Sequence, residues 1–197
     1  MYTRREREIE AMKELIISTA KDIIAEEGFD KLSIRKIAGK IEYSPSIIYH
    51  YFKDKDEILN NVMKSGYTKI VNAVSKTYNE NLTPIEKLKK MMKNYIEEAL
   101  KMSDEFLAAH MDQSSQVTKH TSYMYRGASK EKNALMVLCK SLKEVHDIDD
   151  EQAELKAQVI VSSAIGLICK LIIEKDIDDN QKQRLIDCFI EDVVIKI

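Results

Sequence analysis

Two short helices joined by a tight turn are predicted by Ser33-Ile-Arg-Lys-Ile-Ala38 and by Ser44-Pro-Ser-Ile-Ile-Tyr-His-Tyr-Phe-Lys-Asp-Lys-Asp-Glu-Ile-Leu59. The first helix repeats apolar side chains at the spacing of one helical face, at Ile34, Ile37, Ala38 and Ile41. Ser44 followed by Pro45 is a strong start for the second helix, since serine caps an N-terminus and proline fits the first helical position. The pattern is typical of a helix-turn-helix, whose second helix enters the major groove of DNA.

The charge around this unit differs from that of the whole chain. The 197 residues carry a formal net charge of −2. Between positions 31 and 55, six basic residues stand against Glu42 and Asp54, a local charge of +4: Lys31, Arg35, Lys36, Lys40, Lys53 and Lys55. A local basic patch is what a face that binds duplex DNA needs, and a basic arm at Arg4, Arg5 and Arg7 would add to it. The alternative is an ordinary helical hairpin with solvated lysines.

The composition predicts an all-α fold of about nine helices. Only 5 glycines and 2 prolines occur in the chain, too few for the many tight turns of a β-rich fold. Capping boxes mark helix starts at Thr3, Asp54 and Thr83, and acidic caps mark later starts at Asp149 and Asp178. We expect one helix over 104–117, and the polar stretch 118–129 carries no clear signal.

Several functions are disfavoured by the residues. The chain has no glycine-rich phosphate loop, nucleophile elbow or HExxH motif, so an enzyme is not expected and no cofactor is predicted. The spacing of His110, Asp112 and His120 fits no standard metal site, and three distant cysteines indicate reduced thiols. We expect no membrane span and a cytoplasmic protein, because no run of about 20 apolar residues and no signal core is present.

The two quoted stretches resemble the tetracycline-repressor (TetR) family of transcription regulators over roughly residues 9 to 60. The family ends its recognition helix with an aromatic pattern followed by a polar, charged stretch, and the matching residues here are Tyr49, Tyr51, Phe52, Lys55 and Asp56. The resemblance implies an N-terminal three-helix DNA-binding domain over 1–53, with 54–65 beginning a connecting helix. It also implies a ligand-binding and dimerisation domain over 66–197. A ligand-responsive regulator is therefore expected, with a helical adaptor protein as the alternative.

The resemblance also assigns a DNA-binding face. The residues that it places at the major groove or its phosphates are Arg35, Ser44, Pro45, Ser46, Tyr49, His50 and Lys55. The sequence departs from the family at Glu42, where the family usually has a turn glycine, and at Ser46, where glycine is frequent. A left-handed backbone at Glu42 would cost about 1 kcal/mol, so we expect a slightly different turn.

The C-terminal half is expected to bind an effector and a second copy of the chain. Methionines and tyrosines that suit an apolar or amphipathic ligand predict a pocket, although plain core packing explains them equally well: Tyr67, Met92, Tyr95, Phe106, His110, Tyr123 and Met136. The resemblance implies a homodimer through the last two helices. The predicted seam, which the sequence alone does not separate from an intrachain core, is Ile160, Ile168, Leu171, Ile172, Leu185 and Phe189. The expected partners are a double-stranded DNA operator, a second copy and an unknown small effector.

Overall fold

The computed structural model describes residues 3–79 and 81–197, and within them it contains α-helices and no strand. This confirms the all-α fold, and the residues that the structure describes form eleven α-helices where about nine are expected. Their bounds are α1 Arg4–Glu27, α2 Ile34–Lys40, α3 Pro45–Tyr51, α4 Lys55–Ser75, α5 Pro84–Lys101, α6 Ser103–Met111, α7 Ser115–Thr121, α8 Ala128–Glu131, α9 Asn133–Val145, α10 Asp150–Ile173 and α11 Asp179–Cys188. A six-residue π-helix, Phe189–Val194, continues α11.

The helices form two compact units. The first contains residues 3–67 and 108–120, and the second contains residues 68–107 and 121–197. The division falls within α4, after Tyr67, and within α6, after Leu107. The predicted domain boundary near residue 66 remains a prediction, and the structure adds segment 108–120 to the N-terminal unit.

The core of the first unit is formed mainly by one face of α1 and by the apolar positions of α2, α3 and α4. Ile16, Ile23, Ile37, Ile48 and Ile58 are fully buried in it. The apolar repeat that predicted α2 thus provides the side chains that hold α1, α2 and α3 together. Val117 of α7 is buried in the same cluster, although it lies more than fifty residues further along the chain.

Helix starts follow the predicted capping residues. Thr3, Thr83 and Asp149 each form a complete capping box, in which the cap side chain accepts the N3 backbone N–H and the N3 side chain accepts the cap N–H. Asp178 likewise accepts the N–H of Gln181. The three arginines near the N-terminus lie within the first turns of α1, so they extend a helix and do not form a separate arm.

The helix expected over 104–117 is interrupted, which accounts for part of the additional helix count. α6 ends at Met111, and Asp112 Oδ1 then accepts the backbone N–H of Ser114 at 2.7 Å. An aspartate side chain that binds the backbone two residues on competes with the helical hydrogen bonds. A separate helix, α7, therefore starts at Ser115.

Two buried polar side chains of α10 hold the segment that precedes α8. Glu154 accepts the backbone N–H of Gly127 at 2.6 Å and that of Ser129 at 3.1 Å, and it also binds the Ser129 hydroxyl. Gln158 donates from Nε2 to the carbonyl oxygens of Tyr123, at 2.8 Å, and Tyr125, at 3.0 Å. These hydrogen bonds hold residues 123–129 against α10, although the sequence of this segment carries no clear signal for a regular structure. We call Glu154 and Gln158 the α10 clamp.

α10 is also the helix, among the described residues, that is long and apolar enough to cross a membrane, with a mean hydropathy of 1.7 over 18 residues. A core helix passes the same test of length and composition. α10 contributes nine buried residues to the second unit, including the charged Glu154 and the polar Gln158. We therefore interpret α10 as a core helix of that unit.

Candidate nucleic-acid interface

The first unit contains the predicted helix-turn-helix. Ile37 and Ala38 of α2 and Ile48 of α3 are buried between the two helices and α1. The small Ala38 side chain permits the close crossing that a two-helix unit requires. Tyr43 is exposed, because it lies in the connection between the two helices and not on a packed helical face.

The turn after α2 ends the helix in a Schellman motif. The N–H of Tyr43 binds the carbonyl of Ala38 at 2.9 Å, and the N–H of Glu42 binds that of Gly39 at 3.4 Å. This motif requires a left-handed residue at the position of Glu42, which normally favours glycine. Glu42 adopts it, with φ +60°, and no other non-glycine residue among those the structure describes has a positive φ. The turn is therefore not altered as expected. It keeps the left-handed backbone for which glycine is favoured, and Glu42 adopts that backbone although its Cβ makes it unfavourable.

Glu42→Gly is expected to raise the free energy of unfolding by about 0.5–1 kcal/mol. Glycine removes the clash between Cβ and the carbonyl oxygen in the left-handed region, which outweighs its greater freedom in the unfolded chain. Urea denaturation followed by circular dichroism measures this change. Glu42→Ala serves as the control, because alanine retains the Cβ. Equal stability of the two variants would show that the backbone at this position is unstrained.

All seven residues assigned to DNA binding are exposed on the first unit: Arg35, Ser44, Pro45, Ser46, Tyr49, His50 and Lys55. Tyr49 is 56% exposed, an unusual position for a large aromatic side chain in a helix with a buried face. The hydroxyls of Ser44 and Ser46 lie 2.7 Å apart and share a hydrogen bond. The exposed face of α3 therefore combines small hydroxyls, an aromatic ring and an imidazole.

Lys55 is fixed at the start of α4 by a local network. Asp54 accepts the N–H of Glu57 at 2.8 Å, and the carboxylate of Glu57 accepts the backbone N–H of Lys53 at 2.6 Å. The predicted cap at Asp54 is thus present. The Glu57 carboxylate, however, accepts the backbone N–H of Lys53 and not that of the capping residue Asp54. This network orders the backbone that carries Lys53 and Lys55 directly after α3.

Two of the six basic residues counted in the sequence are neutralised by α1. Lys36 pairs with Glu27 at 2.5 Å and Lys40 pairs with Glu26 at 2.6 Å. The hydrogen bond from Lys36 lowers the pKa of Glu27, so this carboxylate stays charged beside the lysine. The positive charge on the α2–α4 surface is therefore carried chiefly by Lys31, Arg35, Lys53 and Lys55.

The residues predicted to line an effector pocket are divided between the units. Met92, Tyr95 and Phe106 are buried in the core of the second unit, and the half-buried Tyr123 packs against them and shares a 3.0 Å hydrogen bond with Ser162. Burial raises the pKa of Tyr95, whose phenol is therefore neutral at physiological pH. Met136 is 42% exposed, and Tyr67 and His110 belong to the first unit.

Most of the predicted seam residues fill the core instead of facing outwards. Ile160, Ile168, Leu171 and Phe189 are buried within the chain, and Ile172 and Leu185 are half-buried. A side chain enclosed by its own chain offers no surface to a partner, so these four occupy the core, the alternative that the sequence left open. The apolar residues that α10 does expose are Leu155, Val159 and Ile173.

Other groups singled out in the sequence have structural roles. His120 shares a 2.9 Å hydrogen bond with Asn60 of α4 in the first unit. Burial raises the pKa of the Cys139 thiol to about 11, so this cysteine is protonated at neutral pH. A surface groove of about 500 Å³ lies in the first unit, lined in part by Glu14 and Phe52, and contains none of the predicted pocket residues.

The fold and this face define a helical protein with an N-terminal helix-turn-helix. Residues 16–62 match the family model described as "Bacterial regulatory proteins, tetR family", which confirms the predicted resemblance. The matched stretch spans the second half of α1, all of α2 and α3, and the first part of α4.

Individual proteins that are similar to the chain are also described as regulators. The chain is 30% identical over 83 residues to an HTH-type transcriptional regulator of Haemophilus influenzae, covering 42% of this chain and 44% of that protein. It is 33% identical over 73 residues to the fatty acid metabolism regulator protein of Bacillus subtilis, covering 37% and 38%. The chain thus aligns with less than half the length of either relative. The structure of the regulator FadR from Bacillus subtilis in complex with stearoyl-CoA has a TM-score of 0.70 at 18% identity, covering 90% of this chain and 97% of that one.

Proposed function

We propose that this protein is a dimeric, DNA-binding transcription regulator, a repressor that binds a palindromic operator and is released by a small apolar or amphipathic effector. The exposed face of α3, flanked by Arg35, Lys53 and Lys55, is the observation that carries the proposal. A single helix of seven residues reads only a few base pairs, so two copies on two half-sites are required for a specific operator. The proposed activity is binding in the cytoplasm, without catalysis.

The side chains of this face suit separate tasks. Arg35 and Lys55 carry full charges at the ends of flexible stems, which suits contacts to phosphate. Ser46, Tyr49 and His50 project from the exposed side of α3 and offer hydroxyl and imidazole groups to base edges. A helical adaptor protein needs neither polar side chains suited to base edges on α3 nor exposed cations beside them.

Lys55→Ala is expected to weaken binding to every operator by a similar factor. A lysine that contacts phosphate carries no base information, and each lost contact lowers the slope of log affinity against log salt by about 0.9. Mobility-shift titrations at several salt concentrations measure both effects. Lys36→Ala is the matched control, since Glu27 already neutralises this lysine. An unchanged salt slope for Lys55→Ala would place Lys55 away from the DNA backbone.

His50→Ala is expected to change the preference among operator variants more than the overall affinity. An imidazole on the recognition face distinguishes base edges through its hydrogen bonds, so its loss affects the sequences that present matching groups. Selection from random-sequence DNA, compared with the wild type, gives the preference directly. Equal loss on all sequences would assign His50 to a phosphate.

An amphipathic effector is expected to stabilise the protein and release DNA. Because one relative is named a fatty acid metabolism regulator and one structural neighbour is bound to stearoyl-CoA, stearoyl-CoA is the first probe, with free coenzyme A as the control. A 100-fold preference for the non-docking state corresponds to about 2.7 kcal/mol of coupling per site. Thermal shift and mobility shift measure the two effects, and stabilisation without release would contradict the coupling.

A pair of tyrosine variants locates the pocket. Tyr123→Phe removes a half-buried hydroxyl beside the Met92, Tyr95 and Phe106 cluster, so we expect it to weaken effector binding. Tyr125→Phe is the control, because the Tyr125 hydroxyl binds the exposed Glu131 at 2.7 Å. Equal effects of the two variants on effector binding would show that the effector does not bind beside this cluster.

A further inference from the structure

A non-helical segment, residues 122–127, runs along α10 between the end of α7 and the start of α8. We call this segment the strap. Two of its side chains lie in solvent, since Met124 is 66% exposed and the side chain of Arg126 is 87% exposed. Tyr123, by contrast, is half-buried and packs against the core cluster of the second unit. The strap is thus anchored in that core by the aromatic ring of Tyr123.

Polar side chains at intervals of about one helical turn hold the strap on α10. They are the α10 clamp, Glu154 and Gln158, followed four residues later by Ser162, so all of them lie on one face of the helix. The clamp binds the backbone of residues 123–129, and Ser162 shares a 3.0 Å hydrogen bond with the Tyr123 hydroxyl. The strap is therefore attached mainly by hydrogen bonds, whereas α10 itself is fixed by apolar side chains that are fully buried.

Gly127 ends the strap in a left-handed backbone conformation, with φ +88°. A Cβ added there would meet no atom within 4 Å, so the backbone conformation, and not a lack of space, favours glycine. The N–H of Gly127 donates to the carboxylate of Glu154 at 2.6 Å. Because glycine moves between backbone regions that other residues avoid, release of this hydrogen bond allows the strap to turn about Gly127.

The strap is the part of the second unit that is expected to open without unfolding of the core. Segments with few buried apolar contacts open locally at a lower free energy than the core elements do. Met92, Tyr95 and Phe106 are buried, and they lie on the helices α5 and α6. Tyr123 packs against the same cluster but is carried by a non-helical segment. Displacement of Tyr123 is therefore the least costly way for a molecule to reach this cluster.

We propose that the strap is a gate over this buried cluster. It swings about Gly127 when the α10 clamp releases it, admits the apolar part of an amphipathic effector past Tyr123, and closes again over the bound molecule. The inference rests on the proposed function, which requires such an effector, and it identifies the entry route and the side chains that keep the route closed. A gate that closes again changes rates more than affinity, because it must open both for entry and for exit.

Gln158→Met tests the clamp. Methionine has a similar length but offers no donor to the carbonyl oxygens of Tyr123 and Tyr125, so the strap opens more often. We expect association and dissociation of stearoyl-CoA each to become about tenfold faster, while the dissociation constant changes less than about threefold. A side chain that only supports the fold would weaken binding without this paired change of the two rates.

Stopped-flow fluorescence measures both rates. The chain contains no tryptophan, so Met124→Trp, at an exposed position of the strap, gives one fluorescent reporter that is introduced into every protein compared. Glu151→Gln is the control, because it removes an exposed 3.3 Å ion pair between α10 and Arg126 of the strap. Such surface pairs contribute little, so we expect this variant to keep the rates of the parent protein.

Hydrogen exchange tests the opening of the strap without an effector. We expect the backbone N–H groups of Gly127 and Ser129 in the wild type to exchange at least about 100-fold faster than that of the fully buried Ile160 of α10. Gln158→Met is expected to accelerate the exchange of the first two groups and to leave that of Ile160 nearly unchanged. Equal exchange of all three groups in the wild type would show that the strap opens only when the whole unit unfolds, which overturns the gate.

The outcomes separate this inference from the proposed function. A folded wild type that does not bind stearoyl-CoA contradicts the proposed effector and overturns the gate with it. Binding whose rates are unchanged by Gln158→Met overturns the gate and leaves effector binding standing. Faster association and dissociation at nearly constant affinity, together with rapid exchange of the strap N–H groups, supports the gate. If circular dichroism shows that Gln158→Met does not fold, hydrogen exchange of the wild type still decides whether the strap opens by itself.

Discussion

Glu154→Gln is expected to lower the free energy of unfolding by about 2–3 kcal/mol at neutral pH. The buried carboxylate accepts hydrogen bonds from the Ser129 hydroxyl and from two backbone N–H groups, and bonds to a charged acceptor are among the stronger ones. Glutamine offers one acceptor oxygen and turns an amide donor towards groups that are donors themselves. At least one buried N–H then lacks a partner. Thermal and urea denaturation measure the loss, and Glu151→Gln, on the exposed side of the same helix, is the control.

The effect of Glu154 should depend on pH in a defined direction. The Ser129 hydroxyl, opposed by burial and assisted by the N–H groups of Gly127 and Ser129, lowers the pKa of this carboxyl. A carboxyl whose pKa is lowered in the folded state contributes stability above its unfolded pKa, near 4.5, and loses it as the pH falls through the folded value. The difference between wild type and Glu154→Gln should therefore be largest at neutral pH and shrink below about pH 4.5. A difference independent of pH would show that Glu154 acts by packing alone.

The sequence predicted the parts of the structure that depend on local chemistry. Thr3, Thr83 and Asp149 cap helices because a side-chain oxygen three residues before an N–H reaches it in most contexts. The apolar repeat of α2 and the Ser44-Pro45 start of α3 located the recognition unit for the same reason. The exposure of the seven assigned residues also followed the predicted faces, while their contacts with DNA remain predictions.

Features that depend on contacts between residues far apart in the chain could not be predicted from the sequence. Glu26 and Glu27 neutralise two lysines of α2 only because α1 packs beside it. Whether Ile168 or Leu155 faces outwards depends on how α5, α9 and the C-terminal segment surround α10, and both residues look alike in a helical repeat. The break at Asp112 depends on a choice between two hydrogen bonds of similar strength.

The inclusion of residues 108–120 in the first unit affects the order in which the protein can be completed during synthesis. When residues 3–67 have been synthesised, all seven residues assigned to DNA binding are present. Val117, which belongs to the same buried cluster as Ile58 and Leu59, is then still about fifty residues from being added to the chain. Closing a loop of that length has an entropic cost that local helical contacts do not share. The nascent first unit therefore stays incomplete until α7 emerges, and a fragment cut after Tyr67 lacks the Val117 side chain of its buried cluster.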